Sequence, residues 1–233
     1  MTSRFAQLAF TEDVQRHQRE HGSDRAYRRM LEASAGADVL GEAERAFIEQ
    51  RESFYLASVG QTGWPYIQHR GGPPGFLQAV DERTIGFADF RGNRQYITVG
   101  NLDHDDRVAL FLMDYAYQAR LKILGRARVV EGDSPLAVAG YRATTERTVL
   151  IEIEAYDWNC HQHIPQLFPR ETVENALTSM QERIDRLERE LRDRPPYGMD
   201  LDTTHHRPAE RFDGEGNLMD EATPLQVLKE KAR

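Results

Sequence analysis

Apolar runs in the middle of the chain predict short β-strands joined by tight turns. These runs occupy residues 53–59, 64–70, 76–80, 84–90, 108–115, 119–131 and 148–156. Gly60 and Gly63 lie between the first two runs and are typical of a hairpin turn. Gly125, in the middle of a long run, predicts a bulge or a barrel corner. This spacing of strands and turns is typical of an antiparallel meander, sandwich or barrel.

Helical periodicity surrounds the β-rich region. It predicts helices within residues 11–50, which are interrupted at Gly22. A short helix is predicted from residue 96 to residue 102, after the strand at 84–90. A further helix is predicted at residues 134–142, which begin with a Ser-Pro pair that is typical of a helix start.

Residues 172–194 form a longer predicted helix with a heptad repeat. Its apolar residues are spaced 4, 3, 4, 3 and 4 positions apart. They are Val173, Leu177, Met180, Ile184, Leu187 and Leu191. Two interpretations remain open: the stripe packs against the helix's own domain, or it forms a seam between two chains.

Together these patterns divide the chain into four parts. A helical extension covers residues 1–50, and a β-barrel domain covers residues 51–165. An amphipathic C-terminal helix follows at 166–194. The polar residues 195–233 have little periodicity and predict an extended tail.

Composition and charge narrow the classes of partner. The 233 residues carry a net charge of −8, which argues against general binding of nucleic acids or anionic membranes. Cys160 is the single cysteine, which excludes an internal disulfide and fits a reducing compartment. No apolar run approaches the roughly 20 residues of a membrane span, and the N-terminus lacks the pattern of a secretory signal. We therefore predict a cytoplasmic protein.

The first candidate for chemistry is the turn at residues 91–97, between a predicted strand and a predicted helix. Arg91 and Arg94 supply guanidinium groups, Asn93 and Gln95 supply amides, and Gly92 permits a tight turn. Guanidinium groups, neutral donors and the first N–H groups of a helix are the groups that bind phosphate. The alternative is a connecting loop with solvated arginines.

The second candidate is the end of the strand at 64–70. Gln68, His69 and Arg70 place three polar side chains there, and the glycine pair that begins with Gly71 allows a ligand to approach closely. This density of donors suits a planar polar ligand. The alternative is an edge strand with solvated side chains.

The third candidate follows the last strand, at residues 157–165. It combines an aromatic ring with amide and imidazole groups, and its alternative interpretation is a polar loop with Trp158 packed in the core. Cys160, His161 and His163 are nearly contiguous and lack a second pair of ligands, so we predict no metal site. Histidines beside Cys160 in sequence do not establish a thiol nucleophile either.

In order and spacing, residues 45–165 resemble the pyridoxamine 5′-phosphate oxidase-related flavoproteins, the FMN-binding split barrels. The segments that carry the resemblance are FYLASVG, WPYIQHRGGPPGF, TIGFADFRGNRQYITVGNL, VALFLMDY and LKILGRARVVE. The segment DWNCHQHIP is similar to that of a subgroup with a longer helical N-terminus. The resemblance implies a mainly β protein built on a six-stranded antiparallel split barrel. It also implies a homodimer with FMN at the subunit interface.

The resemblance also implies roles for individual residues. Asn93, Arg94 and Gln95 match the phosphate-binding turn, which in the family often contains Ser-Arg-Lys. Gln95 therefore removes one positive charge, for which Arg91 compensates. The other implied cofactor-binding residues lie along the flavin and in the loop that covers its ring. They are Gln68, His69, Arg70, Gly71, Ala88, Asp89, Arg120, Trp158, Asn159, Gln162 and His163.

The function implied by the resemblance is that of an FMN-dependent oxidoreductase acting on a small molecule. The flavin supplies the redox chemistry, so no catalytic residue is assigned. The open alternatives are a non-catalytic protein that binds or senses flavin, and the same fold using a deazaflavin or haem. An unrelated β-barrel interaction module is a further alternative.

Overall fold

The computed structural model describes residues 1–33, 35–158 and 162–193. The chain divides into two units: the first is Met1–Asn175, and the second begins at Ala176. The predicted tail at 195–233 lies outside the described residues.

A single antiparallel sheet forms the centre of the first unit. Its seven strands are β1 (Ser53–Val59), β2 (Pro65–Gly71), β3 (Leu77–Ala79), β4 (Thr84–Phe90), β5 (Arg107–Asp114), β6 (Ala119–Glu131) and β7 (Thr145–Trp158). Their order in the sheet is β2-β1-β5-β6-β7-β4-β3. The expected count of six strands is wrong for this chain, because the short β3 pairs with β4 as an additional edge strand.

The sheet is curled into a half-barrel. β1 and β4 are four positions apart in the strand order, which in a flat sheet corresponds to roughly 19 Å. Phe54 on β1 and Phe87 on β4 nevertheless have ring centroids only 5.3 Å apart. Phe54 also stacks on Phe76 at 5.7 Å. The curl therefore closes the concave face around one core, to which β1 and β3 to β7 all contribute.

Gly125 marks the predicted irregularity in β6. The register between β6 and β7 shifts between Leu124 and Gly125, as the sequence predicted. A Cβ at this position would lie 2.5 Å from the carbonyl oxygen of Glu152, so only glycine fits. Beyond the shift, Asp157 lies opposite Lys122, and its carboxylate contacts the Lys122 ammonium at 3.1 Å.

Four helices precede the sheet in the sequence, and a fifth, α5, connects β4 to β5. They are α1 (Ser3–Ala9), α2 (Glu12–Glu20), α3 (Asp24–Glu32), α4 (Glu42–Glu49) and α5 (Ile97–Leu102). The periodicity of residues 11–50 predicted α2 to α4, but it did not predict α1. The threonine at residue 2 caps α1, and buried Phe5 anchors it. Arg4 binds Glu154 of β7 at 3.1 Å.

The prediction of a helix at residues 134–142 is wrong. These residues form turns, which are fastened to the sheet by the Ser134 hydroxyl. Its oxygen accepts a hydrogen bond from Thr148 of β7 at 2.8 Å and another from the Leu136 N–H at 3.2 Å. The hydroxyl therefore holds the chain against β7 instead of starting a helix.

The predicted C-terminal helix is present as α6 (Arg170–Arg192) and extends across the boundary between the two units. It has no buried residue. In the part of the chain that the structure describes, no helix is both long enough and apolar enough to cross a membrane.

Candidate functional site

A cavity of about 240 Å³ lies at the turn between β4 and α5. It is half open, and the predicted phosphate-binding turn supplies much of its wall. The residues around it are Gln68, Arg70, Asp89, Phe90, Gly92, Asn93, Arg94, Tyr96, Ile97, Thr98, Val99 and Glu146. Strands β2, β4 and β7 and the start of α5 therefore meet at this point.

The curl of the sheet brings two distant strands to the same cavity. β2 and β4 are five positions apart in the strand order. Arg70 on β2 pairs with Phe54, so its side chain lies on the concave face, where it binds Asp89 of β4 at 2.5 Å. Asp89 also faces its cross-strand neighbour Arg147 at 3.8 Å. This buried ion pair network forms one wall of the cavity.

The backbone of the turn has an unusual conformation. Arg94 and Tyr96 both have positive φ angles, 60° and 53°, although neither is glycine. Such positions cost free energy and persist where the surrounding structure enforces them, often at functional sites. Asn93 supports the turn by accepting a hydrogen bond from the Gln95 N–H at 3.3 Å. The Tyr96 hydroxyl accepts another from Arg94 Nε at 3.4 Å.

Four arginines gather at the cavity and its rim. We call Arg70, Arg91, Arg94 and Arg147 the arginine cluster. Arg91 binds the Glu146 carboxylate at 3.0 Å, and the Arg147 guanidinium lies 5.0 Å from the centre of the Tyr96 ring. The Tyr96 hydroxyl raises the pKa of Arg94, and nearby Glu146 acts in the same direction, so Arg94 remains a cation.

Three carboxylates pair with these arginines: Asp89, Glu146 and the exposed Glu131, which lies 3.6 Å from Arg147 Nε. Burial raises the pKa of Asp89, although Arg70 and Arg147 oppose this shift. Glu146 lies between Arg91 and Arg147, at 3.0 and 3.4 Å. Four guanidinium groups and three carboxylates leave an excess of one positive charge when all three acids are ionised.

Two donors at the cavity bear on ligand binding. Arg70 Nε is buried and has no hydrogen-bond partner within the described residues. A buried donor without a partner is costly, so this N–H fits an acceptor supplied by a ligand. The Thr98 hydroxyl donates to Gln68 Oε1 at 2.7 Å, which orients the Gln68 amide at the cavity wall. This bond uses the amide oxygen, so the amide N–H groups are the donors that Gln68 can offer a ligand.

The structure brings together part of the predicted cofactor site. Gln68, Arg70, Asp89, Asn93 and Arg94 all line the cavity. Two more members of the turn lie outside its lining: Arg91 is turned to Glu146, and Gln95 is exposed.

Other predicted site residues lie elsewhere. His69 alternates with Gln68 and Arg70 along β2, and its ring contacts Tyr55 at a centroid distance of 5.7 Å. Arg120 lies 5.9 Å from the centre of the Phe111 ring. Gly71, which ends β2, and Ala88, which is buried in β4 opposite Thr148, do not line the cavity.

The third candidate segment is described only in part. Trp158 packs edge-to-face on Phe47 at 4.7 Å, and its indole N–H donates to Glu44 at 2.7 Å. The alternative interpretation of Trp158, as a side chain packed against the core, agrees with this placement. Gln162 and His163 are exposed. Asn159, Cys160 and His161 lie outside the described residues.

Four residues that make polar or ring contacts at the cavity, Tyr96, Thr98, Glu146 and Arg147, were not among the predicted cofactor-binding residues. Tyr96 and Thr98 lie within four positions of Arg94, and this closeness in sequence could have identified them as site residues. Glu146 and Arg147 lie far along the chain on β7. Only the pairing of β4 with β7 brings them to the turn.

One group of possible metal ligands occurs among the residues described. His17, Glu20 and His21 have ligand atoms within 4.8 Å of one another on α2. All three are exposed. None of the three lines the cavity at the β4–α5 turn.

The fold and the cavity define an antiparallel half-barrel protein with a cation-rich site at a strand-to-helix turn. The family model described as pyridoxamine 5′-phosphate oxidase matches residues 40–165, more than half of the chain. The chain therefore belongs to the pyridoxamine 5′-phosphate oxidase family. A comparison with curated proteins found no significant match.

Similar solved structures cover about half of this chain. A putative pyridoxamine 5′-phosphate oxidase from Lactobacillus delbrueckii is 21% identical over 51% of this chain and 93% of its own, with a TM-score of 0.41. An F420 reductase is 16% identical over 51% of this chain and 98% of its own, with a TM-score of 0.37. An FAD-binding protein from Mycobacterium smegmatis is 13% identical, covering 53% and 97%, with a TM-score of 0.35.

Proposed function

We propose that this protein is an FMN-dependent oxidoreductase that acts on a small molecule. The observation that carries the proposal is the cation-rich cavity at the β4–α5 turn, in a chain that belongs to the pyridoxamine 5′-phosphate oxidase family. When bound, the flavin supplies the hydride or electron transfer, while the protein binds and orients it.

The charge of the cavity supports a phosphate ester as one end of the ligand. A phosphate monoester carries roughly −1.5 to −2 charges at pH 7. The arginine cluster exceeds its three carboxylates by one positive charge, and Arg70 and Arg94 line the cavity, so an anion is favoured there. Arg94 in the turn and the unpaired Nε–H of Arg70 are the donors we assign to the phosphate or to the oxygens beside it.

The size of the cavity supports a ligand that extends beyond it. Sites that enclose a drug-sized ligand measure roughly 300–1,000 Å³. The cavity measures about 240 Å³ and is half open, so it suits the phosphate and part of the ribityl chain. The ring would then lie outside this cavity, where a second copy of the chain would complete the site, as the predicted homodimer requires.

Gln68 is our candidate for contact with the flavin ring. Its amide oxygen is occupied by Thr98, so its N–H groups can donate to the ring. Such a donor would stabilise negative charge on the reduced ring. His69 lies on the other face of β2, beside Tyr55. It could therefore contact only a part of the flavin that lies outside this cavity.

The visible spectrum of the purified protein tests the proposal. Absorption bands at about 450 nm that survive dialysis, and release of FMN on heating, are the expected result for a flavoprotein. A Soret band would indicate haem, and a released deazaflavin would indicate that cofactor instead. A colourless protein that also fails to bind added FMN would contradict the proposal. Turnover of bound FMN with a nicotinamide donor separates an enzyme from a protein that only binds or senses flavin.

Arg94→Ala tests the phosphate end of the site. We expect FMN affinity to fall by about 1.5–3 kcal/mol, the scale of a charge-assisted hydrogen bond. Quenching of flavin fluorescence during titration of the apoprotein measures this change. Arg83→Ala is the matched control, because Arg83 lies before β4, at the opposite end of that strand from the cavity. Equal affinity of the Arg94 variant and the wild type would place the phosphate elsewhere.

A further inference from the structure

Helix α6 carries an apolar stripe that faces solvent. Its six heptad residues each expose 44–65% of their surface. They are Val173, Leu177, Met180, Ile184, Leu187 and Leu191. The helix spans 23 residues, or roughly 34 Å, so the stripe is continuous over three heptads. Apolar stripes of this length on an exposed helix are typical of sites of association.

We propose that α6 pairs with α6 of a second copy as a parallel, in-register coiled coil. The spacing places Leu177, Ile184 and Leu191 at the a positions of the heptad. Val173, Met180 and Leu187 then occupy the d positions. In the central heptad, β-branched Ile184 at a is followed by Leu187 at d, the combination that is typical of two-stranded coiled coils, while the other two a positions are leucines.

The flanking charges select the parallel orientation. In a parallel pair, Arg183 at a g position lies beside the partner's Glu188 at an e position. The two-fold axis gives a second, identical contact with the two chains exchanged. Both contacts join opposite charges.

An antiparallel pair with the same apolar layers would bring like charges together. Arg183 would then lie beside the partner's Arg183, and Glu174 would lie beside the partner's Glu188. Like charges in contact oppose association. The sequence of the helix therefore disfavours this arrangement and supports the parallel one.

The pairing would tether two chains around one two-fold axis. A tether of this kind raises the effective concentration of the second copy by holding it close. This inference concerns the helix alone and is independent of flavin binding. Its test uses no cofactor, so its failure and the failure of the proposed function are distinguishable.

Cysteine cross-linking in the full-length chain tests the register. Leu191→Cys in a Cys160→Ser background places two thiols side by side in the parallel pair, with diamide as the oxidant. In the antiparallel pair the two thiols would be separated along the helix axis by the length of about 18 residues, or roughly 27 Å. Arg189→Cys is the matched control, because Arg189 occupies an f position on the outer side of the helix. We expect Leu191→Cys to form disulfide-linked dimers at least about tenfold faster. Equal rates in the two variants, or no dimer from Leu191→Cys, would overturn the proposal.

Charge exchange provides a second measurement. Arg183→Glu, in the Leu191→Cys background, converts both attractive contacts into repulsive ones and should slow cross-linking about fivefold. Adding Glu188→Arg restores opposite charges across the parallel seam and should restore the rate. A double variant as slow as the single variant would contradict the parallel register. Circular dichroism at 222 nm verifies that each variant retains its helix content.

Discussion

At the scale of single residues, the turn at 91–97 combines charge with backbone strain. Arg94 provides a cation to the cavity and also adopts a left-handed conformation that glycine adopts more easily. Its neighbour Tyr96 has the same type of conformation, accepts a hydrogen bond from Arg94 and contacts the Arg147 guanidinium. The presence of arginine instead of glycine at this position is best explained by the need for its side chain.

Comparing Arg94→Gly with Arg94→Ala separates these two effects. Both variants lose the guanidinium, so we expect the same loss of FMN affinity. Glycine adopts a positive φ at less cost than alanine. The free energy of unfolding of the glycine variant should therefore be roughly 1 kcal/mol higher than that of the alanine variant. Urea denaturation followed by tryptophan fluorescence measures the difference. If the alanine variant were the more stable, the turn would not be strained at this residue.

At the scale of elements, α1 is attached to the sheet through charges. Glu154 of β7 lies between Arg4 of α1 and Arg126 of β6, at 3.1 and 3.2 Å. The hydrogen bond from Arg4 lowers the pKa of Glu154, despite partial burial, and Arg126 adds to this shift. The folded state therefore binds a proton at Glu154 less readily than the unfolded state. Its contribution to stability is present above the unfolded pKa and is lost as the pH falls through the folded pKa.

Glu154→Gln tests this attachment. We expect the free energy of unfolding to fall by roughly 0.5–1 kcal/mol at pH 7, the scale of a partly exposed ion pair network. The difference from the wild type should shrink below about pH 4, where the unfolded carboxyl takes up its proton. Glu152→Gln is the control, because Glu152 is an exposed glutamate on the same strand. A difference that stays constant down to about pH 3 would show that the charge of Glu154 does not stabilise the fold.

At the scale of the first unit, one core unites both ends of the curled sheet. Phe54 contacts Phe76 and Phe87, so it joins β1 to the opposite side of the half-barrel. Tyr55, the next residue, faces the other side of β1 and is 41% exposed. Substitution of Phe54 therefore removes contacts that close the half-barrel. Substitution of Tyr55 removes a side chain of the same strand that makes none of those contacts.

Phe54→Ala should lower the free energy of unfolding by about 3–5 kcal/mol, the usual cost of removing a buried aromatic side chain. Tyr55→Ala should cost less than half as much, because its side chain is partly solvated. Chemical denaturation measures both values. Similar losses in the two variants would contradict the role of Phe54 in closing the half-barrel.

The local pattern of the sequence predicted many of the elements but only part of the cavity. Gly125 and the runs around it were sufficient to predict β6 and its bulge, because alternation and glycine act locally. Ser134 was misinterpreted, because its hydroxyl contacts Thr148 on a distant strand instead of capping a helix. The same limit applies to Glu146, whose position beside Arg91 depends on strand pairing.

By itself, the sequence determined the periodicities, the turns and the cation-rich segment at 91–97, since these depend on neighbours along the chain. It also determined the heptad stripe of α6 and the charges beside it. The tertiary structure decided that the sheet curls, that β2 and β7 contribute Arg70 and Glu146 to the cavity, and that Arg147 lies at its rim. It also placed His69 and Arg120 away from that cavity. The physical reason is that curl and strand order arise from packing one core, which no local pattern encodes.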